Sequence, residues 1–185
     1  MRIIAGEAKG RRLVAPEGLQ TRPTQDKTRE ALFSMIQAFV PDACVLDLFG
    51  GTGALALEAM SRGASRAFIC DISRPAQKAI ETNIRAVMGE NVTVTLIKAD
   101  YRVALKQLTN ESFDLVFLDP PYADESAYAD SLCFLLEHSM LAENALVIVE
   151  KRKDASIKYP EGLETVKSRN YSDTVIELLR KEETL

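Results

Sequence analysis

The tetrapeptide Asp119-Pro120-Pro121-Tyr122, directly after the apolar run Leu115-Val116-Phe117-Leu118, carries the most specific chemistry in the chain. Two consecutive prolines forfeit two backbone donors and fix two φ angles, more stiffness than a strand needs to turn a corner. They can build a rigid ledge from which the Asp119 carboxylate and the Pro120 carbonyl face one spot beyond a sheet. Two acceptors placed so suit an exocyclic amine of a nucleic-acid base. That amine is a poor nucleophile because its lone pair is delocalised into the ring. Acceptors on its two N–H bonds draw the nitrogen toward tetrahedral geometry and stabilise the charge that develops as a methyl group arrives. On this reading no strongly shifted pKa is needed. Tyr122 would stack on the base, a contact worth about 1 to 3 kcal/mol, and a base from paired RNA would be flipped into the site. The plainer alternative is a proline-stiffened loop with an exposed tyrosine.

A methyl donor needs a cleft. Val45-Leu46-Asp47-Leu48-Phe49-Gly50-Gly51-Thr52-Gly53 places glycines after an apolar run and before a helix, where an open α/β sheet binds its cofactor. Gly51-Thr52-Gly53-Ala54-Leu55-Ala56 also satisfies G-x-G-x-x-A, so a nicotinamide-dinucleotide oxidoreductase stays open. Asp47 tilts the choice, because an acid there repels a pyrophosphate but accepts a hydrogen bond from a cationic amino-acid moiety. S-adenosylmethionine, with its ammonium and sulfonium, fits better. Asp71, 24 positions later, suits a ribose-diol acceptor in either cofactor class. Asp100 could hold the adenine amino group, with Tyr101 or Ile72 bordering the ring; a solvated loop carboxylate or a helix N-cap is the alternative for each acid.

These loops require a particular scaffold. From Cys44 on, short apolar runs alternate with longer amphipathic ones, the pattern of a parallel sheet with crossover helices. Strands are expected at 44–48, 66–71, 93–99, 115–119 and 145–150, and helices near 54–61, 74–88, 102–108 and 128–140. The segments 164–171 and 174–179 read as an antiparallel hairpin added to the sheet. At the other end, Arg2-Ile3-Ile4-Ala5 and Arg11-Arg12-Leu13-Val14, separated by Gly6 and Gly10, read as a small hairpin. Leu32, Met35, Ile36, Phe39 and Val40 then predict a helix from about Asp26 to Pro41. The expected division is a basic arm over 1–24 and one compact domain over 25–185.

Composition narrows the chemistry further. The 185 residues, 46% hydrophobic and 27% charged, are ordinary for one globular domain. Neither a long apolar leader nor a membrane-length apolar run is evident, so a cytoplasmic location is expected. Cys44, Cys70 and Cys133 show no metal or disulfide spacing and read as buried thiols. The single histidine, His138, leaves no histidine-based metal cluster to build and sits where a helix should end, so it reads as a cap. The net charge of −4 is uneven: seven basic residues face three acidic ones in positions 1–29. A basic arm on an acidic body suggests a polyanion held at one end, or merely a solvated strand pair.

The glycine loop and the Asp119–Tyr122 tetrapeptide resemble the class I amino-methyltransferases, a Rossmann-like fold with a mostly parallel seven-stranded sheet. Arg2-Ile3-Ile4-Ala5-Gly6, Lys9-Gly10-Arg11-Arg12-Leu13, Thr21-Arg22-Pro23-Thr24 and Arg29-Glu30-Ala31-Leu32-Phe33 further resemble the bacterial RsmD-like family of 16S ribosomal RNA guanine-N2 methyltransferases, essentially end to end. Ala5 departs from the glycine expected in many relatives. The resemblance implies methyl transfer from S-adenosylmethionine, without a metal, to a guanine of 16S rRNA in an assembled or assembling subunit, by a monomer. It assigns catalysis to Asp119, Pro120, Pro121 and Tyr122, and the cofactor cleft to Asp47, Gly50, Gly51, Gly53, Asp71 and Asp100; Phe49, Ile72 and Tyr101 are expected to line the same cleft. Arg22 and Thr24 would lie near cofactor or base, and Arg2, Lys9, Arg11 and Arg12 near phosphates. Adenine-N6 or cytosine-N4 methylation of RNA or DNA, and a non-catalytic RNA-binding module, remain the other readings.

Overall fold

The computed structural model describes residues 1–16, 23–89, 93–121 and 124–182, with the side chains of 23–25 outside the description. Its centre is made by the apolar runs β1 (Cys44–Asp47) and β4 (Phe113–Leu118), buried almost throughout as strands covered by helices on both faces must be. Around them lie β2 (Arg66–Cys70), β3 (Val94–Ile97) and β5 (Leu141–Arg152), which run parallel to β1 and β4. A C-terminal hairpin of β6 (Leu163–Tyr171) and β7 (Thr174–Lys181) completes the sheet, β7 lying antiparallel between β5 and β6. The resulting order is β3-β2-β1-β4-β5-β7-β6. Strand order reverses between β1 and β4, and the crevice beyond their carboxyl ends is where such sheets bind ligands.

Side-chain alternation divides the core between the two faces. Val45, Leu115 and Phe117 face α1 (Pro23–Ile36), α2 (Ala54–Ser61) and α3 (Arg74–Met88). Leu46, Val116 and Leu118 face α4 (Tyr101–Gln107) and α5 (Ser126–Glu137). This is the expected Rossmann-like arrangement with its terminal antiparallel hairpin.

Several boundaries differ from expectation, those of α1 and β5 among them. Pro23 opens α1 three residues before Asp26, since proline fits a first helical turn where its missing N–H costs nothing. The helix ends at Ile36, and a single 3-10 turn, Gln37–Phe39, leads to Pro41. At its start β5 reaches back to Leu141, opposite Phe113, across a register irregularity; at its end Lys151 and Arg152 continue pairing with β7. Sheet partners there override a polar sequence.

The N-terminal hairpin is reduced to one antiparallel bridge between Arg2 and Arg12, flanked by Ile3 N–H donating to the Arg11 carbonyl (2.9 Å) and Leu13 N–H to Met1 (3.1 Å). Its Ile3, Ala8 and Leu13 are buried against the α1–α2 face. Buried polar groups fasten it. The fully buried Glu58 of α2 accepts the amides of Ile4 (2.7 Å) and Ala5 (2.9 Å) and the Arg62 guanidinium (2.8 Å). Ser61 donates to the Ala5 carbonyl (2.6 Å) and accepts Ala8 N–H (3.0 Å). A β-carbon on Gly6 would stand 1.7 Å from the Ser61 carbonyl oxygen, so only glycine permits this approach. Among the described residues no helix is long and apolar enough to cross a membrane.

Candidate active site

Asp47 ends β1 with 3% of its surface exposed. Burial pushes its carboxyl up to about 7, against backbone hydrogen bonds from Ala56, in the first turn of α2, and Phe49; the nearby Asp71 pushes the same way as burial. The chain then turns tightly, with Gly50 N–H donating to the Cys70 carbonyl (2.7 Å) and Gly53 N–H to Gly50 (2.6 Å). Gly51 and Gly53 take φ of 56° and 74°, the left-handed region where glycine is favoured. A β-carbon on Gly50 would stand 2.4 Å from Ile69 Cγ2, whereas one on Gly51 would meet no heavy atom within 4 Å. The loop is therefore packed on its inner side and open at Gly51.

Asp71, after β2, accepts Gly51 N–H on Oδ2 and Ser73 N–H on Oδ1, both at 2.8 Å. It joins the glycine loop to the start of α3. Ile72 beside it is 67% exposed, an apolar platform at the cleft edge. Asp100 follows β3 and caps α4 by accepting Arg102 N–H at 2.9 Å, so the N-cap alternative is realised on Oδ1. Tyr101 is buried and packs on Phe49 with ring centroids 5.3 Å apart, its hydroxyl donating to Asp130 at 3.0 Å. The sequence-derived set thus gathers along one edge of the sheet, at the ends of β1, β2 and β3.

Asp119 stands at the same edge, beyond β4. Its side chain opens to the cleft, but the protein around it strips hydration, and Glu150 and then Asp47 add like charge, so its carboxyl lies well above the usual range. Pro120 is buried and Pro121 exposed. Tyr122 lies outside the described residues, as does Arg22, and nothing is described of the Thr24 side chain.

Glu150 was missed by motif reading. It follows Leu146 and Ile148 on an alternating face of β5 and is half-buried; desolvation raises its carboxyl, opposed by a hydrogen bond with the Thr174 side chain. A charged residue continuing an inward row was the available signal. Glu58, Ser61 and Asn83 were missed too. Asn83 is buried, accepts Val14 N–H (2.8 Å), and donates to the carbonyls of Val14 (2.9 Å) and Thr52 (2.8 Å). One amide therefore links the arm to the glycine loop.

Of the arm cations, Arg2, Lys9, Arg11 and Arg12 are exposed, and Arg11 reaches the Ala86 carbonyl at 2.6 Å. The Cys70 thiol donates to the Ala99 carbonyl, and burial pushes it up to about 12, which leaves it unreactive. Cys44 is likewise buried and Cys133 only half-buried, all three free. His138 caps α5 and stacks on Phe134, before β5 and so away from the cleft. Among the described residues no group of three or more His, Cys, Asp or Glu side chains could hold a metal ion.

Known proteins resemble this chain along nearly its whole length. Ribosomal RNA small subunit methyltransferase D of Haemophilus influenzae is 32% identical over 170 residues, covering 91% of this chain and 88% of the relative. The protein of the same name from Escherichia coli is 33% identical over 166 residues, covering 90% and 79%. The solved structure of yhhF from Escherichia coli is 28% identical, covers 100% of this chain and 99% of its own, and superposes with a TM-score of 0.85. The family model described as conserved hypothetical protein 95 matches residues 1–180. The chain belongs to this family, the RsmD-like family that its arm, glycine loop and proline tetrapeptide resemble.

Proposed function

We propose that this chain transfers a methyl group from S-adenosylmethionine to the exocyclic N2 of a guanine in 16S ribosomal RNA, within an assembled or assembling small subunit. The carrying observation is the line of acids Asp47, Asp71, Asp100 and Asp119 at the carboxyl ends of β1 to β4. The names of the relatives support ribosomal RNA as substrate, and the family resemblance supports guanine. A single copy acting in the cytoplasm completes the reading.

The residues present fit the donor. Open space beside Gly51 is a cradle for it, Asp47 is an acceptor for an ammonium, Asp71 for a ribose diol, and Ile72, Asp100 and Tyr101 border an adenine. S-adenosylmethionine, when bound, supplies an electrophilic methyl on a sulfonium. Asp119 and the Pro120 carbonyl hold the two amine N–H bonds and so aim the nitrogen lone pair. Because its carboxyl lies above the usual range, Asp119 also suits the proton that the amine sheds after the new N–C bond forms. The arm cations Arg2, Lys9, Arg11 and Arg12, with Arg22, Thr24 and Tyr122, take the RNA side in this reading.

The test is incubation of purified protein with labelled S-adenosylmethionine and undermodified small subunits or naked 16S rRNA, followed by mass spectrometry of the nucleosides. N2-methylguanosine is expected. N6-methyladenosine or N4-methylcytidine in its place would keep the amine chemistry and overturn the base; absence of label in both substrates would overturn the function.

A further inference from the structure

Aiming an amine at a methyl group requires Asp119 and the Pro120 carbonyl, and leaves one carboxylate at that end of the sheet without a task. Glu150 lies one position beyond Val149, which pairs with Leu118, so it stands across from Asp119 on neighbouring parallel strands. Leu115 and Phe117 share one sheet face with Leu146 and Ile148, and Asp119 and Glu150 continue those two rows. The placement of Glu150 is enforced from two sides: the Tyr128 hydroxyl of α5 donates to its carbonyl at 2.7 Å, and β7 contributes the Thr174 side chain. Among the described residues it forms no salt bridge, and neighbouring Lys151 pairs with Glu177 instead. Two adjacent carboxyls without a cation are costly unless donors arrive.

We infer that Glu150 determines the base, its carboxylate accepting N1–H of the guanine whose N2 amine Asp119 holds. This inference rests on the guanine-amine reading above. Guanine is the base in which a ring nitrogen beside the exocyclic amine, N1, carries a hydrogen; in adenine and cytosine the one ring nitrogen beside the amine is a bare lone pair. Guanine N1–H donated to Glu150 favours its ionised form against the burial that raises its carboxyl, and an ionised carboxylate only accepts. Asp119 and Glu150 together match N2–H and N1–H of guanine, whereas adenine N1 or cytosine N3 would set lone pair against lone pair. The N1 proton stays on the ring throughout, so Glu150 adds no chemical step. A site built to hydrogen-bond a substrate N–H rejects an analogue lacking it by about 10⁴- to 10⁵-fold.

The experiment replaces the nucleotide that the wild type methylates, once mapped by mass spectrometry, with 2-aminopurine, which keeps the N2 amine and lacks N1–H. Failure of the wild type to produce N2-methylguanosine at all would sink the underlying reading before this substrate is needed. With that product in hand, wild type should prefer guanine over 2-aminopurine by at least about 10³-fold in kcat/KM. Glu150→Ala should collapse that preference to within about tenfold, by slowing guanine and quickening 2-aminopurine, and Glu150→Gln, which keeps size, should lower it by at least tenfold. An unchanged preference in both variants, equal losses on both substrates, or 2-aminopurine left unmethylated by variants that still turn over guanine would overturn the proposal. S-adenosylhomocysteine binding, measured alongside, should stay within about twofold of wild type.

Discussion

The two ends of the cleft satisfy their carboxylates differently. On the donor side, Asp71 already holds Gly51 and Ser73, and Asp100 already caps α4; the protein supplies the partners, and the loop is set before any ligand binds. On the acceptor side, burial raises the Asp119 carboxyl, and the like charge of Glu150 and then of Asp47 raises it further. A preformed cradle suits a cofactor that is the same at every turnover. Carboxyls short of donors suit a base that must bring its own N–H groups, and they penalise one that brings none.

The comparison breaks most visibly at Asp119. Asp119→Ala should lower turnover by about 10³-fold while S-adenosylhomocysteine affinity, measured by calorimetry, stays within a few-fold. A large loss of affinity would merge the two ends into one. Asp71→Ala should do the reverse, weakening S-adenosylhomocysteine by about 10²-fold, since it removes the loop tie and the diol acceptor, with a much smaller change in turnover at saturation.

Asp47 sharpens the contrast because it belongs to the donor side yet lacks a cation. Its folded carboxyl lies at about 7 against an ordinary 3.8, so between these values the folded form keeps a proton that the unfolded form has released. Stability from this group is therefore present at low pH and lost as pH rises to about 7. In thermal melts without ligand, Asp47→Asn should gain on wild type steadily from pH 4 to 7 and hold that gain above, while binding S-adenosylhomocysteine about tenfold more weakly at pH 8. A pH-independent difference would remove Asp47 from this role. The smallest expected effect lies outside the cleft: Arg11→Ala with Arg12→Ala should flatten the log–log salt dependence of RNA binding by roughly 0.7 to 0.9 per lost phosphate contact.

Local pattern made the donor side legible. The glycines, the acid three positions before Gly50 and the strand-ending Asp71 announce themselves within short windows, and the tetrapeptide does so by its prolines. Glu150 became meaningful only when β4 and β5 were laid side by side, because its partner Asp119 is distant in sequence and adjacent in register. Glu58 had a fainter signal, a lone charge in an eight-residue helix whose other members are largely apolar. Periodicity gives such a residue a face but not a partner; its hydrogen bonds to Ile4 and Ala5 span more than fifty positions. Polar ties of this reach are set by tertiary packing, which is also why β5 runs longer than its apolar centre.

Those same ties impose an order of assembly. Synthesis delivers the arm before α2 and α3, yet the Ile4 and Ala5 amides lack their native acceptor until Glu58 has left the ribosome, and Val14 waits for Asn83. A segment made before α2 and α3 thus settles only after them, docking on a face that they must already have formed. Interactions made so late belong to the native side of the folding barrier, and weakening them should hasten unfolding far more than it slows folding.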